Sequence, residues 1–180
     1  MNSECYIYTF TGEKFFPLIP ETSKIKIEDI AHALANTCRF TGHVKEFYSV
    51  AQHSVYVSLD CPKKLALAGL LHDASEAYLC DVSSPVKRLD SMKPYRDAEA
   101  GLQKIIYEHF AVPFMEPPPK VKDADMRVYR TEVDNLMSYP VEGERATSIS
   151  DFRPWLPREA EFEFLRRYAI LTSKKGAQKP

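Results

Sequence analysis

The sequence predicts a mostly α-helical fold with a short N-terminal β-hairpin, and three observations carry that prediction. Apolar residues recur at helical spacing in block after block from Ile27 onward. Prolines or polar capping residues stand at the head of most blocks, where helices begin. Glycine is scarce, 6 in 180 residues, so the chain has neither a glycine-rich phosphate loop nor a dinucleotide-binding fingerprint. Only the first twenty residues read differently. Tyr6-Ile7-Tyr8-Thr9-Phe10 and Lys14-Phe15-Phe16-Pro17-Leu18 flank Thr11-Gly12-Glu13, which reads as a hairpin over about residues 5–19.

The helices follow in order. Ile27, Ile30, Ala31, Leu34, Ala35 and Cys38 share one face of a first helix, with Glu28 and Asp29 in the turn where the dipole favours acids. Ser49 followed by Gln52 is a capping-box pattern opening a second helix, which carries His53. Pro62 suits the first position of a third, running to about Tyr78. Pro94 opens another, with Ala98, Leu102, Ile105, Ile106 and His109 on its inner stripe. Pro117-Pro118-Pro119 breaks the chain before a helix over Val121, Ala124, Asp125, Val128 and Leu136. A loop at Tyr139–Trp155 leads to a last helix from Pro157 through Phe162, Leu165 and Ala169, and residues 173–180 are expected to be a disordered tail. There is no internal repeat, so the expectation is a single domain over 1–180.

Composition narrows the function classes. With 24 basic and 25 acidic residues and a net charge of −1, nothing favours polymeric nucleic acid or an anionic membrane. Cys5, Cys38, Cys61 and Cys80 are dispersed and form no CxxC pair, which fits reduced thiols in a cytoplasm. The N-terminus lacks a signal-peptide pattern, and no apolar run reaches membrane-spanning length. The aromatic hairpin and C-terminal segment offer a surface for a homo-oligomer contact.

The chemistry concentrates at His72-Asp73, which ends the apolar run Leu65–Leu71. An imidazole and a carboxylate in so dehydrated a setting need compensation, because an unpaired buried charge costs several kcal/mol or more. A divalent metal supplies it most economically. Glu76 follows one turn on, Asp81 lies beyond it, His53 is upstream and Asp125 downstream on a stripe with Val121 and Val128. On a continuous helix His72, Asp73 and Glu76 would face one cleft. Two imidazoles and two carboxylates suit Zn, Mn, Co or Fe better than Ca. A lone histidine on an apolar face is usually a packed core residue. His32, His43 and His109 keep that plainer reading, His109 as an inner-stripe residue and His32 as a solvated or capping group.

The order His53, His72-Asp73, Asp125 resembles the H…HD…D signature of HD-domain metal-dependent phosphohydrolases. Four segments extend the likeness: Cys38-Arg39-Phe40-Thr41-Gly42-His43; Phe47-Tyr48-Ser49-Val50-Ala51-Gln52-His53-Ser54; Leu70 through Val82; and Val121-Lys122-Asp123-Ala124-Asp125. The resemblance is strongest to compact 5′-deoxynucleotidases and phage dATP triphosphohydrolases. It implies an HD-domain helical bundle over about 27–172, with a divalent ion (Zn, Co, Mn or Mg) held by His53, His72, Asp73 and Asp125. Glu76 would handle the attacking water or the leaving oxygen, and Asp81 the sugar 3′-hydroxyl. Arg39 would contact phosphate and Phe40 wall the base or sugar, although the family often has Trp there. Lys87 and Lys122 are placed to clamp further phosphates. Three cations exceed what one phosphate needs, which favours a deoxynucleoside triphosphate (dATP) triphosphohydrolase releasing nucleoside and triphosphate. The alternatives are a 5′-nucleotidase on deoxynucleoside monophosphates, a non-catalytic nucleotide-binding module, or an alarmone hydrolase. All suit a bacterial or phage-infected cytosol.

Overall fold

A helix buried on every side organises the molecule. In the computed structural model, which describes residues 5–139, 149 and 151–173, helix α2 spans Val50–Asp60 and every residue from Val50 to Ser58 is buried. Ser49 starts it, its hydroxyl accepting the Gln52 N–H at 3.1 Å. The reciprocal half of the expected capping box does not form. Gln52 instead reaches across the fold, its Nε2 donating to the Arg153 carbonyl at 2.7 Å and its Oε1 accepting the Trp155 N–H at 2.8 Å. Buried polar groups must find partners wherever they lie, and here the partner is the approach to the last helix.

Around α2 pack α1 (Ile27–Asn36), α3 (Ala66–Leu70), α7 (Pro119–Leu136) and α8 (Pro157–Thr172). The chain is mostly helical, with one small two-stranded antiparallel sheet. No described helix is long and apolar enough to cross a membrane. The hairpin is shorter than its sequence suggests: β1 (Ile7–Tyr8) pairs with β2 (Lys14–Phe15) in the register Ile7↔Phe15 and Tyr8↔Lys14. Only Phe15 of this pair is buried, stacked 4.1 Å from Tyr78, so little else holds the strands down. Asp29, expected merely to answer a helix dipole, is buried and accepts the Thr11 N–H at 2.7 Å and the Thr11 hydroxyl at 3.0 Å. It ties the hairpin to α1.

The first helix stops at Asn36, before Cys38, which forms an antiparallel bridge with Ser49. The Arg39 N–H donates to the Tyr48 carbonyl at 2.9 Å, closing the loop between α1 and α2. Inside it Phe40, Thr41 and Gly42 have φ of 55°, 54° and 80°. Two successive non-glycine residues in the left-handed region cost about 1–3 kcal/mol each.

The largest departure from expectation lies between Pro62 and Leu79. A continuous helix was expected; the segment is a 3-10 turn (Lys63–Leu65), α3, a run of turns at 71–75 and α4 (Glu76–Leu79). The interruption has a specific cause on α6 (Lys93–His109). Gln103 Nε2 donates to the Leu71 carbonyl at 2.7 Å, and its Oε1 accepts the Ser75 N–H at 3.1 Å. These bonds take up backbone groups that a continuing helix would have paired itself. At Gly69 the backbones of α2 and α3 come close: a Cβ there would sit 2.9 Å from Cys61 Sγ and 3.2 Å from Ser58 Cα.

The expected helix starts at Pro94, Pro119 and Pro157 are found, whereas α5 (Ser84–Lys87) was not anticipated. Two stripes need correcting. On α6 the buried face is Leu102, Gln103, Ile106 and Tyr107, so His109 is exposed at the helix end. On α8 Ala160 and Phe164 face inward, leaving Phe162 62% exposed. His32 is not simply solvated: it bonds Glu161 of α8 at 3.0 Å, with the Phe10 ring stacked on it at 3.7 Å. The four cysteines are free thiols. Most of the expected 139–155 loop and nearly all of the 173–180 tail lie outside the described residues.

Candidate metal centre

Three elements deliver the polar cluster. His53 comes from the second turn of α2, His72 and Asp73 from the turn that Gln103 holds open, and Asp125 from α7. His53 Nε2 lies 3.3 Å from His72 Nε2, 3.8 Å from Asp73 Oδ2 and 3.1 Å from Asp125 Oδ1. His72 Nε2 is 3.2 Å from Asp73 Oδ2 and 4.0 Å from Asp125 Oδ1. His53, His72 and Asp73 could hold a metal ion by their spacing alone, one ligand atom of each falling within 4.8 Å of the others.

Hydrogen bonding on the far side of each ring sharpens this. His72 Nδ1 donates to the Gly69 carbonyl at 2.8 Å, and His53 Nδ1 donates to Glu132 Oε1 at 2.6 Å. A carbonyl and a carboxylate can only accept, so both rings carry their proton on Nδ1. In the neutral rings both Nε2 lone pairs then point at one another and at two carboxylate oxygens. Four acceptors converge with no donor of their own, an arrangement that needs a cation. Either an added proton or a metal ion meets that need. Burial and the Arg39 guanidinium oppose a charge on His53, but Glu132 and Asp125 outweigh them and push its pKa up to about 9. Burial likewise opposes ionisation of Asp73, yet His72, His53 and Arg39 hold its carboxyl well below the usual range. Asp125 is held down by His53 against the same burial penalty. His53, His72 and Asp73 therefore could hold a divalent ion, with Asp125, the most exposed of the four, beside His53.

Beside the cluster lies a cavity of about 240 Å³ walled by His72, Asp73, Glu76, Lys87, Glu99 and Gln103, with Met115, Glu116 and Pro117 opposite. Glu76 is buried, and its Oε2 has no partner among the described residues. Burial raises its pKa well above the normal carboxyl range, reinforced by the charges of Asp73 and Asp81. That direction favours its protonated form.

No family model matches the chain. The uncharacterized protein YfdR of Escherichia coli (strain K12) is 38% identical over 173 residues, covering 93% of this chain and 96% of that protein. The chain belongs to the YfdR family. An uncharacterized protein of Rhodobacter capsulatus is 33% identical over 141 residues, covering 72% of this chain and 71% of its own length.

In this member of the YfdR family the other expected site residues fall into two groups. Arg39 is close, its Nη1 3.8 Å from Asp73 Oδ2. Lys87 reaches the cavity but is engaged there, 2.7 Å from Glu99 and 3.5 Å from Glu76. Phe40, Asp81 and Lys122 do not line the cavity. Phe40 stacks on Tyr129 at 5.8 Å, and Lys122 is 58% exposed with Glu116 4.0 Å away. Asp81 acts on the site through its charge on Glu76. Sequence patterns missed Glu132, Glu99 and Gln103. Glu132 stands on the stripe of Val128 and Leu136, where a buried acid could have been noticed.

Proposed function

We propose that this protein is a metal-dependent phosphohydrolase of the HD-domain type, cutting the P–O5′ ester of a deoxynucleotide. The observation that carries this reading is the meeting of four acceptor atoms beside the buried carboxyl of Glu76, one of whose oxygens has no partner among the described residues. His53, His72, Asp73 and Asp125 would hold the ion, and two imidazoles among the donors favour Zn, Mn, Co or Fe over Mg. When bound, the ion supplies Lewis acidity toward a phosphoryl oxygen and makes water a stronger acid.

The remaining work falls to side chains. Arg39, partly buried and held near Asp73, orients the phosphate at the reacting centre. Glu76 is assigned the proton that the departing O5′ takes up, and the upward shift of its pKa favours the protonated form that this role uses. Asp81, flanking Glu76, is assigned to the sugar 3′-hydroxyl by the motif resemblance.

The charge around the cavity bears on phosphate number. The sequence favoured a triphosphate because Arg39, Lys87 and Lys122 supply three cations. Lys87 is bonded to two glutamates, Lys122 stands on the surface, and Asp73, Glu76, Glu99 and Glu116 line the cavity against one lysine. A trailing di- or triphosphate would meet more carboxylate than cation. This supports a 5′-nucleotidase acting on deoxynucleoside monophosphates over a dATP triphosphohydrolase. The test is metal analysis followed by product identification from a panel of deoxynucleoside mono- and triphosphates. Inorganic phosphate from dAMP or its analogues is expected. Intact triphosphate from dATP would restore the first choice, and no hydrolysis of any nucleotide by metal-loaded protein would overturn the assignment.

A further inference from the structure

Helix α7 meets the cluster twice, at Asp125 and two turns later at Glu132. Glu132 is fully buried, and its two oxygens are committed to different parts of the fold. Oε1 accepts from His53 Nδ1 at 2.6 Å, while Oε2 accepts from Arg39 Nε at 3.2 Å and pairs with the charge of Nη2 3.1 Å away. An ion pair with Arg39 would explain why a buried carboxylate is tolerated. It would not explain the second oxygen, set against the outer nitrogen of a ring whose inner nitrogen faces His72 and Asp125.

Arg39 gives an independent indication. Its guanidinium bridges from Glu132 to Asp73 Oδ2 at 3.8 Å, so Glu132, Arg39 and Asp73 form one side of a ring that His53 closes on the other. Immediately after Arg39 the backbone takes positive φ at Phe40, Thr41 and Gly42. Strain of that kind persists where surrounding structure demands a particular placement.

We propose that Glu132 is a positioning residue serving both halves of the site. It fixes His53 with its proton on Nδ1, so that the Nε2 lone pair faces the ion. It also holds the Arg39 guanidinium beside Asp73, one of the residues that would hold the ion, so that metal capture and phosphate orientation depend on one buried carboxylate. The inference rests on the metal site of the proposed function, not on the identity of the nucleotide.

The test uses Co(II) alone as a probe. Metal-free wild type, Glu132→Gln and Glu132→Asp are titrated with Co(II), following its visible absorption, with thermal unfolding of each metal-free protein measured in parallel. A glutamine amide has one acceptor oxygen and cannot serve both His53 Nδ1–H and Arg39. Glu132→Gln should therefore bind Co(II) about 10–100-fold more weakly, the usual scale for loss of a group that orients a ligand. Glu132→Asp should recover part of that loss, which a role limited to folding would not produce. If Glu132→Gln does not fold, the wild type decides: with zinc bound, ¹⁵N-histidine spectra should show His53 as an exchange-protected Nδ1–H ring ligating through Nε2. A folded Glu132→Gln that binds Co(II) as tightly as wild type, or a His53 ring with its proton on Nε2, would overturn the inference and leave the hydrolase reading intact. A wild type that binds Co(II) with this Glu132 dependence yet cleaves no nucleotide would do the reverse.

Discussion

Two polar clusters in this protein use nearly the same residue types, and only one is incomplete. Between the hairpin and α8, helix α1 carries Asp29, paired with Thr11, and a turn further on His32, paired with Glu161 and stacked on Phe10. Both Asp29 oxygens accept from Thr11, His32 bonds Glu161, and Phe10 covers the imidazole. Around α2, the His53 and His72 rings are just as well anchored on their outer nitrogens. Among the described residues their inner nitrogens face only acceptors, and Glu76 Oε2 has no hydrogen-bond partner. Histidine beside carboxylate is therefore weak grounds for a metal site. What distinguishes the second cluster is a surplus of lone pairs pointing inward.

The sharpest way to break this comparison is to remove an inward lone pair. His72→Ala or Asp73→Ala should abolish metal binding and turnover together, since losing one of four ligands loosens the rest. Asp29→Ala should leave metal content unchanged. Metal analysis of purified variants reads this directly, and equal metal loss at both clusters would erase the distinction. Glu76→Gln comes next. It keeps the ion but cannot give up a proton as a carboxyl does, so kcat should fall by about 10²–10⁴-fold with metal retained. Steady-state kinetics on metal-quantified protein is the check, and loss of the ion would move Glu76 into the ligand set.

Smaller effects should appear in stability. Gln103→Ala strands the Leu71 carbonyl and the Ser75 N–H, each a buried group costing about 1–3 kcal/mol when unpaired. Denaturant unfolding should show a loss of that order together with weakened metal binding, because the turn bearing His72 and Asp73 relaxes. Asp29→Ala should cost less, about 1–2 kcal/mol, since Thr11 is exposed and water can replace its lost acceptor. His32→Ala, which loses a partly exposed pair and one stacked ring, should cost about 0.5–1.5 kcal/mol without touching activity.

Much of the site was legible because its residues interrupt apolar patterns. His53 within Val50–Val57, His72-Asp73 after Leu65–Leu71 and Asp125 beside Ala124 and Val128 are polar letters where burial is expected, and the structure brings all four together. Helix starts at Ser49, Pro94, Pro119 and Pro157 were legible for a local reason, capping and proline chemistry acting over one turn. What could not be read depends on distant partners. The break at residues 71–75 is made by Gln103, about thirty residues away, and no local propensity announces it. Asp29 looked like a dipole acid until Thr11 folded onto it. Lys87 looked like a free cation until Glu99 on α6 engaged it. Glu132 is the case where the stripe on α7 held the information and the usual expectation of an exposed glutamate obscured it.

The close approach at Gly69 extends this logic to ion size. The missing side chain lets α3 lie against Ser58 of α2 and Cys61 just beyond its end, and the carbonyl of the same glycine holds the His72 ring. The placement of the His72 ring is thus gauged by the packing of α3 on α2. A gauge of that kind discriminates between ions by radius: Zn–N bonds run about 2.0–2.1 Å, whereas Ca–O bonds run about 2.3–2.6 Å. One added methyl group at Gly69 would press on Cys61 and Ser58 by a few tenths of an ångström, and, if the proposed metal site is right, it should show as a change in which metals bind.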